Sequence, residues 1–494
     1  MLAPEAGQAV GRELRSALGA ENVLDDPALL RDRAHDFSTA SGVRPDFIAF
    51  PRSKADVREI VGIANRHLVP LVPVSSGPPR FHGDTLPYRG GIVIDFSRMH
   101  RIIRVDFASR CARIEPGVTF GELVPQLERQ GLRLNAPLAP RANKSVLTSC
   151  LEREATLIPK YQYDYMDPLL TLEVVYGTGE DFRTGSASGP GIPETLKADM
   201  VNPWGPGAID YYRLLSAAQG SMGLVTWAVV RTEVLPAQKK IYFIPVQDPQ
   251  RLYAPLDALL RRRVVDECLA LNSVNLATLL ADDPRTDFAP LKAALPSWTI
   301  IACVAGYQRR AAERVAIYEK YLLEICRDLG LQAQTTLPGA AGMEGAVERL
   351  IAGPWSREPY WKLRRGNYVR EIFFLTPLSK AGGFVEQMKA LACNFRCPSL
   401  DFGVYIQPLV QGRGAHCSFL LACDCSDQRQ ADAVDDLFRT ASESLMRQGA
   451  FFSRPYGPWA PMVYGDYPDG AAMLRTLKRI FDPNGILNPG KLCF

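Results

Sequence analysis

The sequence contains no uncharged apolar run of the ~18–20 residues that a membrane-spanning helix needs, so no membrane span is expected. Its first stretch, MLAPEAGQAVGRELRSALGAENV, is charged throughout and lacks the apolar centre of a secretory signal. A cytoplasmic location is the expectation. Charge of one sign is also lacking: 57 Lys and Arg against 53 Asp and Glu leave +4, too little to imply nucleic acid. None of the 11 cysteines forms a Cys-x-x-Cys pair, even in the richest cluster (Cys393, Cys397, Cys417, Cys423, Cys425). Zinc or iron–sulfur binding is therefore disfavoured, no metal is expected, and thiols such as Cys303 in TIIACVAGY read as buried packing residues. Glycine (39) and proline (38) are near average usage, which excludes a low-complexity or disordered chain. No internal repeat is present. At 494 residues the chain exceeds the ~250–300 at which a single core stops growing, so it must divide.

What is present is an ordered succession of elements. Ser53–Val69 has Val57, Ile60, Val61, Ala64 and Leu68 at helical spacing, with Ser53 and Asp56 as its capping pair. A short strand, LVPV, and the turn-rich SSGPPRFHGDTLPYRGG follow, then strands at Gly91–Phe96 and Ala112–Ile114. Thr119–Gln130 reads as a second helix capped by Thr119 and Glu122. LTLEVVYGTGEDFRTG reads as two strands on a glycine turn, and Gln219–Pro236 as a glycine turn feeding one long strand. Beyond Pro236, strands KIYFIPV, WTIIACVAGY, EIFFLTPL, YIQPLV and HCSFLLAC alternate with helices at Arg309–Leu329 and Gln428–Gln448. This predicts an α+β unit with an antiparallel sheet backed by helices.

Seven segments in order carry a family resemblance: PRSKADVREIVGIANRHLVPLVPVSSG, GGIVIDFSRMHRI, IEPGVTFGEL, KSVLTSCLER, LEVVYGTGEDFRTG, GSMGLVTWAVV and FDPNGILNPGK. Together they resemble the flavoproteins of the vanillyl-alcohol oxidase and p-cresol methylhydroxylase type. The resemblance implies an α+β fold with a two-part FAD-binding domain, residues 1–236 completed by 453–494. A cap domain, 237–452, is inserted between them and built on an antiparallel sheet. It also implies three cofactor loops and a tail. The first loop supplies Ser75, Ser76, Gly77, Pro78, Arg80, His82 and Gly83. The second supplies Pro140, Lys144, Ser145, Ser149 and Arg153; the third supplies Gly220, Gly223, Leu224 and Val225; and the tail supplies Asn488 and Lys491.

The sequence departs from that family where a pyrophosphate should be approached. Glycines expected in the first loop are Pro78, Pro79 and Arg80, and each proline removes an N–H that a phosphate could use. In the second loop Ala142, Asn143 and Lys144 stand for glycines, and Glu154 brings a carboxylate that would repel phosphate unless it is paired. Arg80 and Lys144 offer positive charge in place of the lost donors.

The catalytic tyrosines of phenol-oxidising members fall on His82 and on Ser453, the latter followed by Arg454. Arg454, His82 and Tyr456 are therefore the expected catalytic groups, with Tyr464 a further candidate. His416 falls where some members carry a histidine joined covalently to flavin. Tyr161, Tyr163 and Tyr165 alternate on one face of an extended segment, and Trp355, Trp361, Arg364 and Arg365 offer an anion-binding rim or a solvated basic face.

Two functions remain open at this level. One is an FAD-dependent oxidoreductase that takes hydride from a small phenolic or hydroxy-acid-like substrate, with an electron-acceptor partner conceivable. The other is an FAD-free structural or regulatory subunit of the same fold paired with an active flavoprotein subunit. Either implies a homo- or hetero-oligomer.

Overall fold

A computed structural model of the chain describes residues 2–159, 168–189, 191–200, 211–395, 401–423 and 428–494. Three main sheets organise it. In the first, Phe47–Ala49, Ile92–Asp95 and Leu71–Val74 run parallel, and Val23–Leu24 adds an antiparallel edge. The helix Lys54–His67 makes the crossover that parallel pairing requires. Ser53 caps it by accepting from the Asp56 amide, and Val57, Ile60, Val61 and Ala64 are its buried stripe. It ends where Leu68 turns left-handed at φ 52°.

The second sheet is antiparallel, in the order Ile102–Asp106, Cys111–Ile114, Leu224–Arg231, Leu169–Val175, Asp181–Arg183. The helix Phe120–Glu128 starts on the expected capping box of Thr119 and Glu122. The long strand expected to run unbroken to Pro236 divides at Thr232 instead. Leu224–Arg231 stays in this sheet, whereas Glu233–Val234 pairs with Leu132–Arg133. The hydrophobic pattern continues through Thr232, so only the change of pairing partner marks the break.

The third sheet holds six antiparallel strands: Gln238–Val246, Trp298–Gly306, Glu267–Asn272, Gly403–Leu409, Gly414–Cys423 and Tyr368–Pro377. Five match expected strands; Glu267–Asn272 is an addition. The helix Gln428–Arg447 buries Ala431, Val434, Leu437, Phe438, Ala441 and Leu445 against it. The mixed α+β architecture with a large antiparallel sheet is as the sequence implied.

The C-terminal tail returns to the first sheet. Leu487 forms a parallel bridge with Leu71, and Asn488 N donates to Leu71 O at 2.8 Å. The buried Lys478 ammonium ties this region together, donating to Ser221 O, Leu487 O and the Asp482 carboxylate. A segment more than 400 residues downstream in sequence thereby braces the strand that leads into the first loop.

Candidate functional site

Strand Leu71–Val74 delivers the first loop into a cleft of about 1730 Å³, mouth included. It is one continuous cleft that runs from the loops of the first two sheets to the strands of the third. Ser75, Ser76, Arg80 and His82 line it from the first loop, and Pro140 and Lys144 from the second. Gly220, Gly223, Leu224 and Val225 line it from the third, joined by His416 and Arg454. Glycine is required at 220, where φ is +68° and a Cβ would stand 2.2 Å from Pro73 Cγ.

The other expected residues lie outside the lining. Ser145 caps the helix Val146–Leu151, and Ser149 donates to Glu154 at 2.6 Å. Asn488 donates to Asp84 O and Gln219 O, fastening the first loop to the third. Lys491 donates to Gly83 O at 2.6 Å and Leu86 O at 2.9 Å, so it is buried beneath the first loop and not solvated. Gly77, Pro78 and Arg153 are not part of the lining, and Tyr456 stands behind His82.

The first loop turns its carbonyls toward the second. Arg141 donates to Gly77 O at 2.6 Å and to Pro79 O, and Asn143 Nδ2 donates to Pro78 O at 2.7 Å. The Gly77 amide donates to Asn143 O, while Pro78 and Pro79 have no N–H. Residues 77–79 therefore offer no amide to a phosphate.

Positive charge is available instead. Burial, aided by the Arg33 and Arg141 charges, pushes the Arg80 guanidinium down to about 10, and burial lowers Arg141 as well. Arg80 Nε, Thr85 Oγ1 and Trp361 Nε1 belong to cleft-lining residues and are buried without a hydrogen-bond partner. Buried cations and donors left in this state are stabilised by an anion. Lys144 differs. It donates to Glu154 at 2.6 Å and Glu152 at 3.2 Å. Burial opposes its charge, yet the two carboxylates hold its ammonium above the usual range. Burial would likewise raise Glu154, but Lys144 and Arg454 hold its carboxyl well below the usual range. On these grounds the cleft fits FAD, and Arg80 and Arg141 are the cations that would answer a pyrophosphate in place of a glycine-rich run of amides.

At the cap end the lining is aromatic and its titratable groups are fixed. Burial pushes both His82 and His416 down to about 3, so both imidazoles are neutral near pH 7. The Arg454 guanidinium lies 4.2 Å from the centre of the Phe373 ring. Glu371 accepts from Lys362 at 2.5 Å and Ser418 at 2.7 Å. Burial would raise its carboxyl, but the charges of Lys362 and His82, with those hydrogen bonds, hold it at about 2.

Sequence reasoning missed Arg141, Glu371, Lys362, Ser418 and Tyr405. A signal existed for three of them: Glu371, Ser418 and Tyr405 interrupt apolar strands at positions that line the cleft. Phe373, Ser418 and Tyr405 form one row across three strands, which only the register reveals. Of the two readings open for this segment, the anion-binding rim does not form. Arg364 spends its guanidinium on the carbonyls of Thr278, Ala281 and Asp282, and Arg365 on that of Asp401. Trp361 does line the cleft, while Trp355 packs in the cap core with Arg357 against its ring. Tyr464 stands outside the cleft lining, and Tyr161, Tyr163 and Tyr165 lie outside the described residues. Among the described residues no cluster suited to a metal is found, and no helix is long and apolar enough to cross a membrane.

Comparison with known proteins agrees with this geometry. Residues 45–185 match the FAD binding domain family, and residues 458–492 match the C-terminal domain of FAD linked oxidases. The chain is 24% identical to the glycolate oxidase subunit GlcD of Bacillus subtilis over 98% of its length and 96% of that protein. It is 22% identical to the flavoprotein subunit of 4-cresol dehydrogenase (hydroxylating) of Pseudomonas putida, covering 97% and 94%. Both relatives are named as subunits. Among solved structures, p-cresol methylhydroxylase with substrate bound superimposes at a TM-score of 0.81 with 18% identity, covering 100% of this chain and 98% of that one. The 4-ethylphenol oxidase of Gulosibacter chungangensis also gives 0.81, with 19% identity, covering 99% and 97%.

Proposed function

We propose that this chain, which belongs to the FAD-linked oxidases and is an FAD-linked oxidoreductase of the p-cresol methylhydroxylase type, oxidises a small phenolic substrate at the cap end of the cleft. When bound, FAD supplies the two-electron acceptor for a hydride. The observation that carries the phenolic reading is the aromatic wall of Phe373, Tyr405 and two neutral histidines at the cap end, with Arg454 over the Phe373 ring. A planar ring suits that wall better than an aliphatic hydroxy acid does, because the aromatic faces reward stacking.

In this reading Arg454 steadies negative charge on the substrate oxygen as its proton leaves. His82, neutral at working pH and too weak a base to keep a phenol's proton, orients the substrate hydroxyl by accepting its hydrogen bond, and the proton departs to solvent. Glu371, held by Lys362 and Ser418, keeps the wall beside His82 polar and fixed. Arg80 and Arg141 hold the cofactor's pyrophosphate, and Ser75, Ser76, Gly220 and Gly223–Val225 face the rest of it. His416 lines the same end and is the residue proposed for a covalent flavin link. The two-part cofactor domain (1–236 and 453–494) and the cap (237–452) are proposed as the functional units. An electron-accepting or flavoprotein partner subunit and a cytoplasmic location complete the proposal.

The spectrum of purified protein supplies the test. Flavin absorbance, bleached under anaerobic conditions by 4-methylphenol and not by D-lactate, is expected; bleaching by D-lactate alone overturns the phenolic assignment. A second reading, an FAD-free subunit of the same fold, draws on the Lys144–Glu154 pair in the cleft and the missing amides at 77–79. Colourless protein that fails to take up added FAD would select it.

A further inference from the structure

A second cavity, of about 470 Å³ with its mouth included, lies beyond the far side of His82 and is shared with the main cleft only through Phe81, His82 and Glu371. Its other walls come from three distant segments: the loop at Phe37–Thr39, the strand start at Val369 and Arg370, and the turn Tyr456–Trp459 facing Phe438. A third cavity of about 580 Å³ shares Thr39, Gly457 and Pro458 with it, and Thr39 is exposed. The three spaces therefore follow one another from the surface at Thr39 to the back of His82.

The wall chemistry narrows what such a space would hold. Phe37, Phe81, Phe438 and Trp459 make it aromatic. Its two charged residues are already answered. Arg370 donates to the Asp435 carboxylate, to the Tyr368 hydroxyl and to Phe37 O, and Glu371 is held by Lys362 and Ser418. A net charge on a ligand would find no partner there and would lose its hydration. One polar group is unanswered. The Tyr456 hydroxyl is buried with no hydrogen-bond partner, and burial together with the Glu152 charge pushes its phenol well above the usual range. It remains a protonated donor.

We propose that this second cavity is a binding subsite for a neutral aromatic ring bearing one hydrogen-bonding group, entered past Thr39 and recognised by Tyr456. His82 and Phe81 wall the site off from the main cleft, so it holds a ligand of its own and does not depend on the proposed function.

Crystals of the purified protein soaked with 4-bromophenol test this through the anomalous signal of bromine. A bromine peak bounded by Phe37, Phe438 and Trp459 is expected, with the phenol oxygen near Tyr456 Oη. In solution the same phenol should quench tryptophan fluorescence saturably, about tenfold more weakly in Tyr456→Phe and in Thr39→Phe. Bromine found only in the main cleft, or nowhere, overturns the proposal, as does unchanged affinity in both variants. Flavin absorbance of the same preparation is read separately. Yellow protein without the bromine peak rejects the subsite alone, and colourless protein with it rejects the flavin reading alone.

Discussion

The imidazole of His82 and the phenol ring of Tyr456 are stacked, their centres 4.6 Å apart and their planes inclined by 13°. One arrives on the first loop and the other on the tail segment, with 373 positions between them in sequence. Phe373 meets both rings edge-on, 5.5 Å from His82 and 6.1 Å from Tyr456. This contact orients the imidazole at the cap end of the cleft, and it also excludes water, which is why the imidazole is neutral.

A hydrogen-bond acceptor whose titration is held at about 3 does not change charge near neutrality. The rate of flavin reduction by 4-methylphenol should therefore show no inflection near 6.5, the usual histidine value. His82→Gln should lower that rate by about tenfold, the worth of one hydrogen bond to the reacting oxygen. Stopped-flow bleaching of the flavin band measures both effects.

Cofactor affinity should depend on Arg80 and Arg141, whose guanidiniums, among the described residues, are bonded to backbone carbonyls and to no carboxylate. Arg80→Ala and Arg141→Ala each remove a charge-assisted contact worth about 1.5–3 kcal/mol, so the dissociation constant of FAD should rise roughly 10- to 150-fold. Arg141→Ala also releases the first loop from its carbonyl contacts and should be the more damaging of the two. Quenching of flavin fluorescence on binding gives these constants directly.

Glu154→Gln removes one of the two carboxylates that neutralise Lys144. Apo-protein should melt at lower temperature, because breaking a buried ion pair costs about 3–5 kcal/mol at most, and Glu152 retains part of it here. FAD should bind the variant more tightly, by about tenfold, since less negative charge faces its pyrophosphate. Calorimetry without cofactor and a fluorescence titration with it separate the two effects.

Asp84 introduces a pH dependence of defined sign. Burial, with the Glu152 and Asp36 charges, pushes its carboxyl up to about 7. The folded protein thus holds this proton more tightly than the unfolded chain does. The resulting stabilisation is complete below about pH 4 and is lost as pH rises toward 7. An anionic cofactor in the same cleft favours the protonated acid too, so FAD affinity should fall as pH rises through 7. Asp84→Asn should show neither trend; affinities measured at pH 6 and pH 8.5 decide this.

Local signals were legible wherever one segment carries its own instruction. The Ser53 and Thr119 caps, the buried stripe of Lys54–His67 and the cap strands follow from short-range pattern, and they appear as expected. The loops were harder to read. Replacement of glycine by Pro78, Pro79 and Lys144 is visible in sequence, but the compensation is not. Arg141 is an ordinary arginine until folding sets it against Gly77 O and Pro79 O, and Lys491 is an ordinary tail lysine until it is buried under Gly83 and Leu86. Their roles are long-range hydrogen bonds, which leave no periodicity behind.

By itself the sequence determined the α+β architecture, the order of the loops that line the cleft and the loss of amide donors from the first of them. Those properties depend on residue type and on neighbours a few positions away. Tertiary structure alone decided that Arg80 and Arg141 carry positive charge short of counter-charge, that Lys144 is already neutralised, and that His82 is stacked and uncharged. Each of these states depends on burial and on partners brought from distant segments, and burial sets the cost of a charge.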